Sequence, residues 1–542
     1  MAVSNRIPKT LSQLTAGRMA TAEDATAWVS DNQNWISDVI GKHDTWLKDT
    51  TVELYQAAYD GELDEIAGRQ RARDGGTENK LIADYVQPII DTLVDYMLGK
   101  TPVYTIEDPD QDDEEVEEDM VATEYRKKVM KLLKEKALSC FSDVLRSGCV
   151  SGFGGAILWV DEHGKIDYGE YPVQELIPVY DGRRRLRYAF HRYTAQDADG
   201  KDITKLEVYD ERYVIYLSGE AGSFTMDEDE ADTGNPIEHK AGRIPVAIYQ
   251  NQLPAKYKDR VKGYGKSDLS YGALGLVVAY CHGISDKANL MEYLQDQYLL
   301  LKGVDVDENE VVKMRKARAL ALKDKESDAS FISQSQADGA VENGLTRQKN
   351  DLYDTTNTPR LSELSGSTAT EIKMKYSGLD IKAGKKEPSL IQFIKYFVSV
   401  LTDFLNTQKL VELGEADTYS VVSDADIIED RVDLYQSEWL EVSITRNLPQ
   451  NYEELANIVS TLSGIVPRSY LYELLWFIDD PQKALEEMKA EESERQANSL
   501  QAIGLGADNL GGTGGTPSNQ EGEDQGSQED SATGSKITQV AQ

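Results

Sequence analysis

Residues 265–303, GKSDLSYGALGLVVAYCHGISDKANLMEYLQDQYLLLKG, carry a long helical pattern. Apolar residues recur there at steps of three and four, which is the spacing of one face of an α-helix. The members of this apolar stripe are Ile284, Ala288, Met291, Leu294, Tyr298 and Leu301. The pattern predicts one long packed helix that begins with Ser267 as its N-cap and ends at Lys302-Gly303.

A basic helix is predicted after this stretch, over residues 308–325, and a shorter helix is predicted over residues 346–353. The cationic side chains of the basic helix are Lys313, Arg315, Lys316 and Arg318. They stand out because the chain around them is acidic. Two interpretations are open for them, a partner-binding surface or the ordinary solvated face of a helix.

A polar loop is predicted over residues 354–367, between two helical patterns. The loop is rich in Ser and Thr, and its only basic residue is Arg360. Thr368 and Glu371 have the spacing of a capping box, so the next helix begins there. The apolar face of that helix beyond Pro388 consists of Leu390, Ile394, Phe397, Leu401 and Phe404.

Upstream of residue 265 the patterns of helix and strand are mixed. Helices are predicted within residues 20–70, 79–98 and 121–146, because apolar residues recur there near the helical period. Runs of β-branched and aromatic residues between turn signals predict strands. These strands are residues 156–160, 187–190, 206–209 and 213–217. Strands packed with helices give an α+β fold class, predominantly helical over the whole chain.

The composition describes a folded and strongly acidic protein. Of 542 residues, 40% are hydrophobic, and 95 acidic side chains face 58 basic ones, for a formal net charge of −37. Proteins that bind nucleic acid tightly are usually basic, so this balance argues against tight DNA binding. It permits a surface past which DNA slides without sticking. No apolar run reaches the roughly 20 residues of a membrane span.

Cysteine and histidine spacing indicates no chemical site. Cys140, Cys149 and Cys281 lack paired spacing, and we expect three buried thiols. The five histidines are scattered singly, which gives no zinc-type pattern. The first residues contain no apolar segment of the signal-peptide type, so we expect the chain to stay in the cytoplasm where it is made.

Carboxylates cluster in two runs, residues 107–119 and 227–230. The first run holds ten carboxylates, yet neither run has EF-hand spacing or its turn glycine. Solvated acidic loops are the favoured interpretation, and cation binding is the alternative. Residues from 497 onward are rich in Gly, Ser, Gln and acidic residues, so we expect a disordered tail there.

No motif of the sequence supports catalysis. Gly265-Lys266-Ser267 resembles the end of a phosphate-binding loop, but Arg260 occupies the position of the required first glycine. Residues 152–155 are glycine-rich, but they lie between a helix and a strand, the reverse of the order in a dinucleotide-binding fingerprint. We therefore expect no enzyme, no cofactor and no metal.

Several short blocks of the sequence follow one another in a characteristic order over most of the chain. They are Asn79–Leu81 through Tyr96–Val103, Leu158–Asp161 with Gly164-Lys165, Pro172 to Asp181, Gly242–Val246 with Asn251, Gly265–Leu269, Leu300–Gly303, Ile444–Pro449 and Leu462–Ile465. The ordered set resembles the portal family of siphophages, the tailed phages with long flexible tails. One departure is Thr368-Ala369, where the family often has Ser-Gly, so the conformation of the preceding loop stays open.

This resemblance implies a portal fold, in which wing, stem, clip and crown form a ring, usually of twelve copies, around a central channel. The implied domains are the N-terminal region and wing over 1–265, the stem helix over 266–298, the clip over 299–339, the second stem helix over 340–353, the tunnel loop over 354–367, the long helix with wing return and crown over 368–496, and the tail over 497–542. The implied function is packaging and ejection of double-stranded DNA at one capsid vertex of the virion. The implied partners are terminase, the head–tail adaptor, and the major capsid and scaffolding proteins, with no membrane.

Candidate residues follow from this organisation. The candidates for facing DNA in the channel are Arg360, Lys373 and Lys375. The candidates for docking the adaptor or terminase are Lys313, Arg315, Lys316 and Arg318, in the implied clip. The alternative for Arg360 is an ion pair with Glu363 on the loop surface.

Two other functions stay open on the sequence alone. The first is another head-structural or adaptor protein that binds partners but forms no DNA channel. The second, less favoured, is a phosphate-transferring enzyme, for which Gly265-Lys266-Ser267 is the only motif.

Overall fold

The computed structural model describes most of the chain, in two units. The described residues are 7–15, 18–70, 78–106, 120–161, 163–196, 200–220, 223–227, 234–255, 264–295, 299–302, 307, 309, 312–313, 328–331, 338–360, 369–412, 434–448, 459–463, 465–467, 471 and 488–490. The chain divides into residues 1–449 and residues 450–542. In the second unit, residues 459–462 are helical and Ser463 forms a β-bridge with Val466.

Helices make up much of the first unit. In chain order they are α1 Leu11–Thr15, α2 Ala22–Asp49, α3 Val52–Tyr59, α4 Asp64–Ala67, α5 Val86–Leu98, α6 Met120–Ser151, α7 Tyr271–Gln295, α8 Asp338–Thr356, α9 Ala369–Lys375 and α10 Ser377–Glu412. A capping box of Thr21 and Asp24 starts α2, where both partners satisfy otherwise free backbone N–H groups. Pro388 lies inside α10.

The strands of the first unit form antiparallel pairs. They are β1 Val103–Ile106, β2 Phe153–Val160, β3 Ile166–Tyr171, β4 Leu176–Tyr180, β5 Leu186–Gln196, β6 Asp202–Tyr209, β7 Tyr213–Glu220, β8 Ser223–Met226, β9 Ile237–Glu238, β10 Val246–Gln250, β11 Leu299–Lys302, β12 Asp328–Phe331 and β13 Leu440–Ser443. One sheet has the order β10-β2-β3, and a six-stranded sheet has the order β4-β5-β6-β7-β8 with β9 beside β7. β1 pairs with β13, and β11 pairs with β12.

The main core lies where α5, α6 and α10 pack against one another and against the three-stranded sheet. Phe141 of α6 meets Phe393 and Phe397 of α10 edge to face, with ring centroids 5.6 and 5.0 Å apart. Tyr168 of β3 meets Phe397 in the same way at 4.9 Å. Edge-to-face contacts are favoured by the ring quadrupoles. These rings fix α10 to both the helix layer and the sheet.

A second core forms where α2 covers the six-stranded sheet. Trp35 of α2 packs on Tyr188 and Phe190 of β5, with ring centroids 5.1 and 5.6 Å apart. Trp28 lies about two helical turns earlier on the same face, and its indole N–H donates to the Lys9 carbonyl at 3.0 Å. The large indole rings therefore fill the core while the buried polar atom of Trp28 keeps a partner.

The helix predicted to start at Ser267 begins later, at Tyr271. Ser270 caps it instead, because its Oγ accepts a hydrogen bond at 3.1 Å from the backbone N–H three residues on. The preceding backbone is tied to another element, since Asp268 N–H donates to the Cys149 carbonyl at 2.8 Å. That tertiary bond holds the chain out of helical geometry for one more turn.

The same helix also ends earlier than predicted, at Gln295. Leu299–Lys302 form β11, paired antiparallel with Asp328–Phe331, so Leu301 lies in a strand and not on the helical stripe. Tyr298 lies outside the described residues. A short leucine run is compatible with helix or strand, and here a partner strand distant in sequence decides between them.

The helix predicted from Asn79 begins at Val86 instead. The residues before it are extended along α7 and give their backbone N–H groups to side chains of that helix. Asn79 N–H donates to Asn289 Oδ1 at 2.7 Å, and Leu81 N–H donates to Ser285 Oγ at 2.9 Å. Because these donors are satisfied by α7, the segment does not need intrahelical hydrogen bonds.

The helices α7 and α8 lie against each other. A Cβ added at Gly283 of α7 would lie 2.6 Å from Leu345 of α8, closer than side chains approach, so glycine permits this contact. The ion pair of Lys287 with Glu342 joins the same two helices. The helix predicted over residues 346–353 is thus part of a longer one, and the predicted loop begins at Asn357.

The four strands predicted from sequence are confirmed, and they correspond to β2, β5, β6 and β7. Each of these strands is longer than the pattern that predicted it. Within the described ranges, no helix combines the length and the apolarity that crossing a membrane demands.

Candidate functional site

The segment between α8 and α10 contains most of the predicted tunnel loop of residues 354–367, and α10 begins close to the point where α8 ends. Asn357 follows α8 with a left-handed φ of 55°, a conformation that asparagine tolerates. Its side chain lies against Gly378, where an added Cβ would be 3.2 Å from Asn357 Oδ1. Lys382 Nζ donates to the Thr356 carbonyl at 3.5 Å. The residues that flank the intervening segment are therefore fastened together.

Arg360 is held close to α8. Its guanidinium lies 3.4 Å from Asp354 Oδ1, and its side chain is 24% exposed. It lines a cavity of about 550 Å³ together with Lys287 and Lys349. Glu363, its alternative partner, lies outside the described residues. Arg360 therefore has Asp354 as one partner, and the pairing with Glu363 stays an alternative.

Lys373 and Lys375 lie on α9 and are exposed. Met374 between them is 71% exposed. Thr368 lies outside the described residues, and the helix that follows it begins at Ala369. Arg360 follows α8, which ends at Thr356, whereas Lys373 and Lys375 lie on α9.

Of the four docking candidates, only Lys313 lies in the described part of the chain. It is exposed and helical, as predicted, whereas Arg315, Lys316 and Arg318 lie outside that part. In the described ranges, no three His, Cys, Asp or Glu side chains are grouped as metal ligands would be. The acidic run 107–119 lies outside those ranges, so cation binding there stays an alternative.

A buried ion pair joins three elements of the fold, and the sequence interpretation missed it. The Lys386 side chain is 0% exposed and the Asp268 side chain 2%, with Nζ 2.8 Å from Oδ1. Lys386 also donates to Asn251 Oδ1, and Asn251 Nδ2 donates to Asp268 Oδ1 at 3.2 Å. Lys382 Nζ lies 3.6 Å from the second carboxylate oxygen. Lys386 belongs to α10, Asp268 precedes α7 and Asn251 follows β10, so this cluster ties all three together.

The electrostatics of this cluster favour the ionised form of Asp268. Burial alone would raise the pKa of Asp268, but the charges of Lys386 and Lys382 outweigh it and hold that pKa below its ordinary value. Burial raises the pKa of the neighbouring Cys149 thiol to about 12. Cys149 is therefore a packed thiol and not a nucleophile, because the thiolate is the reactive form.

One signal in the sequence could have revealed Lys386. Along α10 the residues Leu379, Ala383, Leu390 and Phe393 are buried, at the spacing of one helical face. Lys386 occupies the position between the second and third of them. A lysine within a core stripe requires a buried anionic partner, and that partner lies far away in sequence.

The family of the chain follows from comparison with known proteins. The family model described as "Phage portal protein, SPP1 Gp6-like" matches residues 42–498. The chain belongs to this family of phage portal proteins. A curated relative, the portal protein of Bacillus phage SPP1, is 22% identical over 472 residues, which cover 82% of this chain and 83% of the relative. The resemblance inferred from the ordered blocks is thereby confirmed, and with it phage portal function. The family is structural and not catalytic.

Two of the sequence blocks that resemble the portal family meet in space. Asn447 N–H donates to the Tyr96 carbonyl at 2.9 Å, which joins the closing block to the early block. Arg446 lies 2.6 Å from Glu387 and 3.2 Å from Asp380, and both carboxylates belong to α10. In this portal-family chain, α10 is therefore bound near its start by two polar junctions.

Proposed function

We propose that the chain assembles into a ring around a central channel, at one vertex of the phage capsid, through which double-stranded DNA is packaged and ejected. The observation that carries the proposal is the family match over residues 42–498. The ring would contain twelve copies, as the family resemblance implies. A closed ring of identical subunits needs two different surfaces on each copy, which meet head to tail.

Several elements of the fold support the proposed domain organisation. The stem helix of residues 266–298 contains α7, and the second stem helix of 340–353 lies within α8. The clip of residues 299–339 begins with β11, which pairs with β12. The wing within residues 1–265 contains both larger sheets.

We assign the channel contact to the segment between α8 and α10. It is fastened at both ends, and it carries Lys373 and Lys375 as exposed cations. Arg360 lies at its root. Each phosphate that a cation neutralises increases affinity for DNA, so a few local cations in an acidic ring would guide a duplex without retaining it.

The proposed partners are those implied by the family resemblance, namely terminase and the head–tail adaptor at the clip, and the major capsid and scaffolding proteins around the ring. The exposed Lys313 supports the clip assignment, because rim charges steer partners during association.

Imaging of the purified full-length protein tests the proposal. Mass photometry should show particles of about twelve 60.4-kDa subunits, and negative-stain electron microscopy should show rings with a central hole. Closed particles without a hole would favour a head-structural or adaptor protein. Monomers alone at micromolar concentration, at every salt concentration, would contradict ring formation.

A further inference from the structure

A pocket of about 440 Å³ lies beside the turn that joins β4 to β5. Its lining combines cationic, amide and apolar side chains, among them Arg184, Arg185, Gln250, Gln392, Ile248 and Leu253. No carboxylate is among the residues described as lining it, although the chain has 95 acidic side chains. The pocket therefore has the chemistry of a site for an anion with an apolar part.

The turn beside this pocket has a fixed conformation. Asp181 Oδ1 accepts hydrogen bonds from the backbone N–H groups of Arg183 at 2.8 Å and Arg185 at 3.0 Å. Asp181 Oδ2 accepts from the Arg185 side chain at 3.0 Å. Arg184 is exposed between them. The carboxylate thus builds the turn, and the turn presents the Arg184 guanidinium at the rim of the pocket.

Arg184 has a backbone conformation that favours glycine, with a φ of 62°. The turn between β2 and β3 is built in the same way, because Asp161 Oδ1 accepts from the N–H groups of His163 at 2.9 Å and Lys165 at 2.7 Å. There the equivalent position is Gly164, with a φ of 75°. A non-glycine residue in this region is strained, and such strain points to a function of the side chain.

We propose that this arginine pocket binds an acidic segment of a second copy of the chain, and we assign residues 107–119 as that segment. The proposal rests on the ring proposed above, in which each copy contacts the next through two different surfaces. Residues 107–119 hold ten carboxylates, and Val116 is their one large apolar residue. The structure does not describe this segment, and its assignment rests on sequence and charge.

Carboxylates suit the pocket better than the phosphates of a duplex do. Arginine binds carboxylate in a two-point geometry, and the apolar side chains of Ile248 and Leu253 offer a surface for Val116. A DNA duplex presents its phosphates on a convex surface, which does not enter a small concave pocket. An acidic peptide with one apolar side chain satisfies both parts of the lining.

Binding of a synthetic peptide tests the assignment. The probe is a fluorescein-labelled peptide of residues 105–121, TIEDPDQDDEEVEEDMV. The protein is the full chain with the ten carboxylates of residues 107–119 replaced by their amides, so that its own segments do not compete. Fluorescence anisotropy should show binding of this peptide, and no binding of a peptide of the amide sequence or of a short DNA duplex.

The variant Arg184→Gly should weaken peptide binding about tenfold, since it removes one charged two-point contact. It should not disturb folding, because glycine is favoured at this φ. Arg184→Lys should bind with intermediate affinity, since the charge stays but the two-point geometry of the guanidinium is lost. The matched control Arg347→Ala removes an arginine whose side chain is 83% exposed on α8, and it should bind like the parent.

A mixing experiment tests whether the contact joins two copies. The chain with Arg184→Gly has an intact acidic segment, and the chain with the amide segment has an intact pocket. Their mixture should assemble at lower concentration than either chain alone. At some junctions between subunits, the intact acidic segment of one variant then meets the intact pocket of the other. Equal assembly of all three samples would place the contact within one chain and overturn the assignment to a second copy.

Failure of this inference is distinguishable from failure of the proposed ring. If the parent forms rings but the peptide does not bind, or binds Arg184→Gly equally, the pocket assignment is wrong and the ring stands. If the duplex binds and the peptide does not, the pocket is a phosphate site and the assignment is likewise wrong. If the peptide binds with the expected selectivity but no ring forms, the proposed function fails and the pocket assignment stands.

Discussion

Replacing Lys386 by methionine should destabilise the junction of α10, α7 and β10. Methionine is close to lysine in volume and one atom shorter, so the variant removes the charge and two hydrogen bonds with little change in packing. Asp268 would then remain 2% exposed without its nearest cation, which lies 2.8 Å away in the parent. A buried charge that loses its partner costs the fold far more than an exposed one.

The expected magnitude follows from what remains around Asp268. Removing one partner of a buried ion pair typically costs about 3–5 kcal/mol. We expect the lower end, about 3 kcal/mol, because Lys382 stays 3.6 Å from Asp268 and Asn251 still donates to it at 3.2 Å. The matched control is Lys385→Met, one residue earlier and exposed, which should change the free energy of unfolding by less than about 0.5 kcal/mol.

Urea unfolding of the full-length protein, followed by circular dichroism, measures these differences. Hydrogen exchange of the amides of residues 383–390 reports on the junction itself. Adding Asp268→Asn to Lys386→Met should recover more than about 1 kcal/mol, because no unpaired charge is then buried. If Lys386→Met and Lys385→Met unfold at the same urea concentration, the buried pair does not stabilise this junction and the reasoning is refuted.

Four further predictions concern pH, the channel, the clip and the tail. Burial raises the pKa of Asp403 to about 6 despite its arginine partner, so the folded protein should lose stability as pH rises from 4 to 6, and Asp403→Asn should flatten that slope in urea titrations. Arg360→Ala should leave ring formation normal and alter DNA packaging or retention, as measured by packaged DNA per particle; unchanged packaging would contradict the channel assignment. Reversing Arg315 and Arg318 to Glu should weaken binding of adaptor or terminase in pull-down without breaking the ring, and unchanged binding would leave these residues as a solvated face. Deleting residues from 497 onward should preserve ring formation in mass photometry, and loss of assembly would show a structural part for the tail.

Periodicity predicted the element types well where local preference and tertiary packing agree. The apolar face of α10 from Leu390 to Phe404 is buried as its spacing indicates. The strands β5, β6 and β7 lie where their patterns predict, since neighbouring strands in the sheet are also neighbours in sequence. For these strands, the sequence shows both the strand pattern and, close by in the chain, the strand that pairs with it.

Prediction failed where the partner is distant in sequence. The residues before Val86 have a helical pattern, but α7 takes their backbone donors. β1 pairs with β13, and no local signal in Val103–Ile106 identifies that partner. Lys386 could be identified as misplaced within an apolar stripe, but Asp268 could not be identified as its counter-ion without the fold. Long-range pairing is the information that periodicity lacks.

Several polar junctions of α10 lie near its start, next to the segment proposed to meet DNA. Gly378 contacts Asn357, Asp380 and Glu387 bind Arg446, and Lys386 binds its buried partner, whereas Leu390 and the apolar residues after it lie in the core. Exchanging the partners of polar contacts near the surface costs less free energy than repacking a close-packed core does. The start of α10 is therefore attached by polar contacts, whereas the body of α10 is fixed to the three-stranded sheet by the apolar core. Lys386 and its neighbour Glu387 are the last of these attachments before the apolar face that begins at Leu390.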